Sequence, residues 1–184
     1  YNGKGVSACA TCDGFFFKNK KVAVIGGGNT AVEEALYLSN LCKKVTLVHR
    51  RNELRAEKIL QSRLLNKSNV EILWEKKVEE FLGDGLGVNG LKLSSTRDNT
   101  SSEIEVDGVF VAIGHDPSTA VFKDKIKLDK DNYVITDKGG TNTSVPGIFA
   151  AGDCVDKIYR QAVTAAGMGC MAALDAEKWL AEKK

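Results

Sequence analysis

The chain has 184 residues, 43% of them hydrophobic and 27% charged, a composition that suits one ordinary globular domain or two small ones. Its 26 basic and 24 acidic residues leave a net charge of +2, which gives no reason to expect nucleic acid or an anionic membrane as a partner. No apolar run approaches the ~20 residues needed to span a bilayer, no signal peptide is visible, and five sparse cysteines exclude a disulfide scaffold and fit a reducing, cytoplasmic setting.

The first twenty residues carry Cys9-Ala10-Thr11-Cys12-Asp13-Gly14, followed by three phenylalanines. A C-x-x-C pair has three readings. It is half a zinc site, or two packed thiols, or a dithiol that cycles with a disulfide. No second C-x-x-C exists, and the only histidines, His49 and His115, show no ligand spacing, so no metal-ligating set is assigned. Asp13 is placed to give and take a proton beside a thiolate; it also suits a turn before Gly14.

Lys21 to Leu38 organises the chain. Val22 to Ile25 reads as a short buried strand, Gly26, Gly27 and Gly28 break it, and Ala31 to Leu38 are good helix formers. Asn29 and Thr30 are candidate caps for that helix and, with Gly26 and Gly28, candidate cofactor-binding residues. Strand, glycine turn and helix in sequence give Gly26, Gly28 and Ala31 the meaning of a dinucleotide-binding pattern, in which a helix N-terminus faces a pyrophosphate. Val45 to Val48 reads as the next parallel strand. At its end, where an NAD site places Asp or Glu for the ribose, stand His49, Arg50 and Arg51, then Arg55. Guanidinium groups there grip a 2′-phosphate, so the expected nucleotide is NADP(H). The dithiol reading gains weight from lying just before such a fold.

Glu53 to Asn66 is expected to be an amphipathic helix, and Val70 to Trp74 a strand. Val78 to Leu82, Val88 to Ser94 and Ile104 to Val106 read as an antiparallel meander, with the glycines at 83, 85 and 87 forming a hairpin. Val109 to Ile113 is the last parallel strand and ends at Gly114, which joins the candidate cofactor-binding residues. Asp116-Pro117 makes a natural break. Beyond it come strand-like stretches at 126–128, 133–136 and 147–151, the pair Gly152-Asp153, and a long helix opened by Tyr159, Arg160, Gln161 and Ala162 and running to about Glu182, with small residues along its packing face. The expected class is α/β, with a parallel sheet and an inserted antiparallel meander.

CATCDG, then VAVIGGGNTAVEEALYL, then HRR-x-x-x-R resemble the low-molecular-weight bacterial-type thioredoxin reductases, and the likeness runs through the whole chain. The flavoprotein subunit of alkyl hydroperoxide reductase is similar but usually reads CPHCDG. The resemblance implies an NADPH-dependent flavoprotein that reduces thioredoxin, with Cys12 nearer the flavin, Cys9 as the interchange thiol and Asp13 as acid/base. It implies that Asp153 bonds the FAD ribityl chain and that Arg160, Gln161 and Ala162 meet the flavin ring. It implies a Rossmann-like FAD/NAD(P)-binding fold with a parallel sheet, an inserted antiparallel meander and a partial second domain, a homodimer for the intact protein, and residues 1–114 as the NADPH domain with its redox pair. Residues 115–184 would be the C-terminal part of a flavin domain whose own glycine loop is not in this sequence. The chain is therefore expected to be a fragment that binds NADPH, does not hold FAD tightly, and does not turn over alone. A non-catalytic NADPH-binding module, a redox sensor and a zinc-stabilised domain stand as rivals.

Overall fold

The computed structural model describes residues 1–183. The chain divides into two compact units, Tyr1–Gly114 and His115–Lys184. In the first, β1 (Val6–Ser7), β2 (Lys21–Gly26), β3 (Lys44–Val48), β4 (Val70–Leu73) and β8 (Gly108–Ala112) form a parallel sheet in the order β1-β8-β2-β3-β4. Between β4 and β8 the chain makes a second sheet, the antiparallel meander β5 (Lys76–Gly83), β6 (Val88–Ser95) and β7 (Ser101–Glu105).

The central strands are β-branched and buried on both faces, as a parallel sheet requires. Side chains alternate between the two faces. Val22, Val24, Val45, Leu47, Phe110 and Ala112 pack beneath α2 (Asn29–Ser39) and α3 (Lys58–Leu65). Ala23, Val48 and Val109 face the other way, onto Leu91, Leu93 and Val106 of the meander region. The parallel sheet thus has one core on each side. Ala10 of the short α1 (Ala10–Asp13) joins the helix-side core.

Several expectations are corrected. The helix proposed for Glu53 to Asn66 is confined to Lys58–Leu65, and Glu57 at its start is extended (φ −59°, ψ 142°). Residues before it are drawn away from helical geometry by Arg55 N–H donating to the Gly27 carbonyl at 2.8 Å. Neither Asn29 nor Thr30 caps α2: Gly28 is the cap residue, and the helix begins at Asn29. The third meander strand is Ser101–Glu105, ending before Val106. The two-residue β1 has no counterpart among the expected strands.

In the second unit the strand-like stretches make only isolated antiparallel bridges, Leu128 with Val134 and Asn142 with Phe149. Its small core holds Ile126, Val134 and Ala150. The long helix, α4 (Ala162–Ala181), starts one turn later than expected because Gln161 is its N-cap, in a reciprocal capping box with Thr164. None of its residues is buried, so the small residues do not form a closed packing face. Thr141 reaches it by donating to Asp175 Oδ2 at 2.6 Å. Cys42 is buried, Cys154 partly so and Cys170 exposed, and all three are free thiols. No described helix is long and apolar enough to cross a membrane.

Phe110 is fully buried in the sheet centre and meets Phe17 edge to face, ring centroids 5.4 Å apart. Phe110→Ala leaves a large cavity and should cost about 3–5 kcal/mol of stability. Urea denaturation at neutral pH measures it; a loss under about 1 kcal/mol would contradict the packing described.

Candidate functional site

Two chemical features stand beyond the carboxyl ends of the parallel strands. The first follows β1. Cys9 and Cys12 are joined by a disulfide, with Cys9 as the N-cap of α1 and its Sγ accepting the Cys12 N–H at 3.2 Å. Ser7, the last residue of β1, donates its hydroxyl to Asp13 Oδ2 at 2.6 Å and accepts the Cys9 N–H at 3.0 Å. One buried hydroxyl therefore orients both the carboxylate and the backbone of the cysteine pair. Ser7 is a site residue the sequence reading missed, because the strand that positions it is too short to show a period. Cys12 is the more exposed of the pair. Phe15 and Phe16, just beyond, are 68% and 71% exposed. With both sulfurs in a bond to each other, the pair is not a free zinc-ligand set in this state.

The second feature is a cavity of about 540 Å³ at the carboxyl ends of the neighbouring strands β2 and β8, the switch point of the sheet. Gly26, Gly28, Thr30, His49, Arg50, Arg55 and Gly114 line it together. Asn29 and Arg51 are not among its lining residues. Lys76 and Lys77 are, although the sequence reading passed over them. They arrive because β5 starts against the end of β3, with Lys76 N–H donating to the His49 carbonyl at 3.0 Å. Among the described residues no carboxylate lines the cavity, and its cationic lining residues are Arg50, Arg55, Lys76 and Lys77.

The glycines fit a bound dinucleotide phosphate. Apart from Gly28 itself and its two chain neighbours, no described atom lies within 4 Å of where a Gly28 Cβ would be, and Gly28 precedes the N-terminal N–H groups of the eleven-residue α2. A Cβ on Gly27, by contrast, would lie 2.2 Å from the His49 ring. His49 is buried, its Nε2–H donates to the Glu53 carbonyl at 2.9 Å, and Trp74 meets it edge to face at 6.2 Å. Burial holds its pKa below the ordinary 6.5; the Glu53 and Gly26 backbone oppose that shift, and the Arg51 and Arg55 charges reinforce it. His49 is thus a neutral packing piece of the loop.

In the second unit, Gly152 adopts φ +77°, and Asp153 after it is exposed. Arg160 sits at φ +47°, held by its N–H donating to Asp156 Oδ2 at 2.8 Å, and precedes the α4 start at Gln161 and Ala162. Burial of Asp156 opposes ionisation, but backbone N–H groups of Tyr159, Arg160 and Ile158 outweigh it and hold its pKa down. These residues offer a free carboxylate and a helix N-terminus. Among the described residues, the glycine loop of the first unit is the only one set between a parallel strand and a helix.

Residues 1–169 match the pyridine nucleotide-disulphide oxidoreductase family. The chain is 56% identical to a thioredoxin reductase of Coxiella burnetii, covering 98% of this chain and 58% of that protein. It is 55% identical to one from Escherichia coli O157:H7, with the same coverage. The crystal structure of thioredoxin reductase from Streptococcus pyogenes superposes with a TM-score of 0.90 at 41% identity, over 97% of this chain and 58% of that one. The chain thus spans about 58% of the length of these relatives.

The buried neutral His49 makes stability depend on pH. Its folded pKa is below 6.5, so the unfolded chain binds more protons as pH falls below that value. Stability should be level above about pH 7 and should fall as pH drops through the range between the unfolded and folded values. Denaturation midpoints at pH 7.5 and 5.5 should differ less in His49→Gln than in the wild type. Equal slopes in the two proteins would place the acid sensitivity elsewhere.

Proposed function

The chain belongs to the pyridine nucleotide-disulphide oxidoreductase family, and on that premise we propose that it is the NADPH-binding and dithiol-bearing part of a flavoprotein disulfide reductase acting on thioredoxin. One observation carries this reading. A single compact unit holds both the Cys9–Cys12 disulfide with its oriented Asp13 and a basic, carboxylate-free cavity at a dinucleotide loop.

In this reading the space over Gly28 and the α2 N-terminus receives the NADPH pyrophosphate. Arg50 and Arg55 grip the 2′-phosphate, and Lys76 and Lys77 add to the positive field. NADP(H) is favoured over NAD(H) because nothing at the site carries the carboxylate that would repel that phosphate. Gly152-Asp153 and the Arg160–Ala162 helix start fit the ribityl and ring ends of FAD, while its pyrophosphate needs a cradle outside the described residues. Bound FAD supplies two-electron redox chemistry between nicotinamide and disulfide.

The protein's own residues handle the sulfur chemistry. Two electrons and two protons convert the Cys9–Cys12 bond to two thiols, with Asp13 delivering or removing the proton at sulfur. The Cys9 thiolate attacks the thioredoxin disulfide, forming a mixed disulfide and releasing one thioredoxin thiolate. Cys12 then attacks Cys9, restores the intramolecular bond and frees the reduced substrate. The exposed Phe15 and Phe16 offer an apolar contact for the approaching protein. A homodimer of the intact protein is carried over from the family resemblance. A reducing cytoplasmic location suits a cycling dithiol.

Two experiments test the reading. Hydrogen bonds to charged groups contribute about 1.5–3 kcal/mol each, so Arg50→Ala with Arg55→Ala should weaken NADPH binding at least about 100-fold. NADH binding should change little; equal losses in a fluorescence titration of both nucleotides would sink the assignment. For the sulfurs, a Cys12→Ser chain should attack a thioredoxin carrying an aromatic mixed disulfide, release the aromatic thiolate and form a stable crosslink through Cys9. A Cys9→Ser chain should crosslink far more slowly. The reverse order would exchange the roles of the two cysteines.

A further inference from the structure

The residues that would grip the 2′-phosphate lie on the loop 50–57, which has no regular structure of its own. Such a loop orders a charged group only if something orders the loop. From below, Leu54 and Ala56 are buried in the helix-side core, leaving Arg55 between them exposed. From α3, Gln61 Nε2 donates to the Ala56 carbonyl at 2.7 Å. From the glycine loop, the Gly27 carbonyl accepts the Arg55 N–H at 2.8 Å.

Glu75 N–H donates to the Arg51 carbonyl at 3.2 Å, and the His49 ring bonds the Glu53 carbonyl at 2.9 Å. A further tie comes from a side chain of α2. Asn29 Oδ1 accepts the Glu57 backbone N–H at 2.9 Å, and Asn29 Nδ2 donates to Glu57 Oε1 at 3.3 Å. The amide thus bonds the same residue twice, accepting with its oxygen and donating with its nitrogen. It does so from the first residue of α2, next to the space over Gly28, and without capping its own helix. Its amide is turned to the arginine loop.

We propose that Asn29 is a positioning residue for nucleotide choice: it fastens the Arg50–Glu57 loop to the pyrophosphate-binding helix start and so sets where Arg55 meets the 2′-phosphate. The proposal rests on the reading of the cavity as an NADPH site. A direct contact of Asn29 with the pyrophosphate would affect NADPH and NADH alike, because both carry that group. A fastening role affects only the nucleotide that carries the 2′-phosphate.

Titration of the 184-residue chain with NADPH and with NADH distinguishes these, using the wild type, Asn29→Ala, Arg55→Ala and the double variant. Asn29 is exposed and stands at a helix start, where Ala is well tolerated. Asn29→Ala should lose about tenfold in NADPH affinity and much less in NADH affinity. In the Arg55→Ala background the same change should leave the NADPH-to-NADH ratio unmoved, since the residue it acts through is gone. Equal losses for both nucleotides, or a ratio change that persists without Arg55, would overturn the proposal. A wild-type chain that prefers NADPH while Asn29→Ala keeps that preference overturns the proposal alone. A wild-type chain with no preference overturns it together with the cavity reading beneath it.

Discussion

The first unit depends on how closely β2, β8 and α2 approach one another at the glycine turn. A Cβ on Gly26 would lie 2.3 Å from the Ala112 carbonyl oxygen and 2.7 Å from the Ala31 Cβ, and its φ is +154°. Only a residue without a side chain allows strand, neighbouring strand and helix to meet there. The three consecutive glycines then have three separate reasons. Gly26 closes the sheet against the helix, Gly27 seats the His49 ring, and Gly28 keeps an open surface over the helix start. A dinucleotide pattern names the first and third; the second arises from what packs on it.

His49 links that turn to everything cationic around it. Its N–H donates to the Leu73 carbonyl and its carbonyl accepts from Lys76, so β3, β4 and β5 are joined at one residue. Its side chain rests on Gly27 and is bonded to the Glu53 carbonyl. A protonated imidazole there would add charge beside Arg51 and Arg55, and burial makes that form costly. The neutral ring therefore serves as a spacer, and the positive field comes from Arg50, Arg55, Lys76 and Lys77 on segments whose backbones it holds.

The parallel strands were legible because β2, β3 and β8 are β-branched runs with both faces buried, a pattern that survives without knowledge of neighbours. The stretch 53–57 was not: its apolar spacing suits a helix, but Leu54 and Ala56 point inward from an extended loop fastened by tertiary hydrogen bonds. Lys76 and Lys77 look like surface charge in an alternating strand, and only the turn between β4 and β5 brings them to the wall of the cavity. The α4 spacing of small residues suggested a packing face, yet no residue of that helix is buried. A face written in sequence does not say what covers it.

The two chemical features share a unit for a reason that lies in the ladder. In a parallel sheet all strands end on one edge, and β1 pairs Ser7 with Phe110 while β2 pairs Gly26 with Ala112. The residue after each strand therefore emerges on that same edge, the dithiol beyond β1 and the glycine loop beyond β2, with β8 between them. Adjacent strands lie about 4.8 Å apart, so the two strands are separated by roughly 10 Å in the hydrogen-bonding direction. The two-residue β1 is enough for this: once Ser7 is in register, its hydroxyl is fixed, and with it the Asp13 carboxylate and the Cys9 backbone. A strand too short to be read from its sequence is what ties the sulfur chemistry to the edge where the nucleotide loop opens.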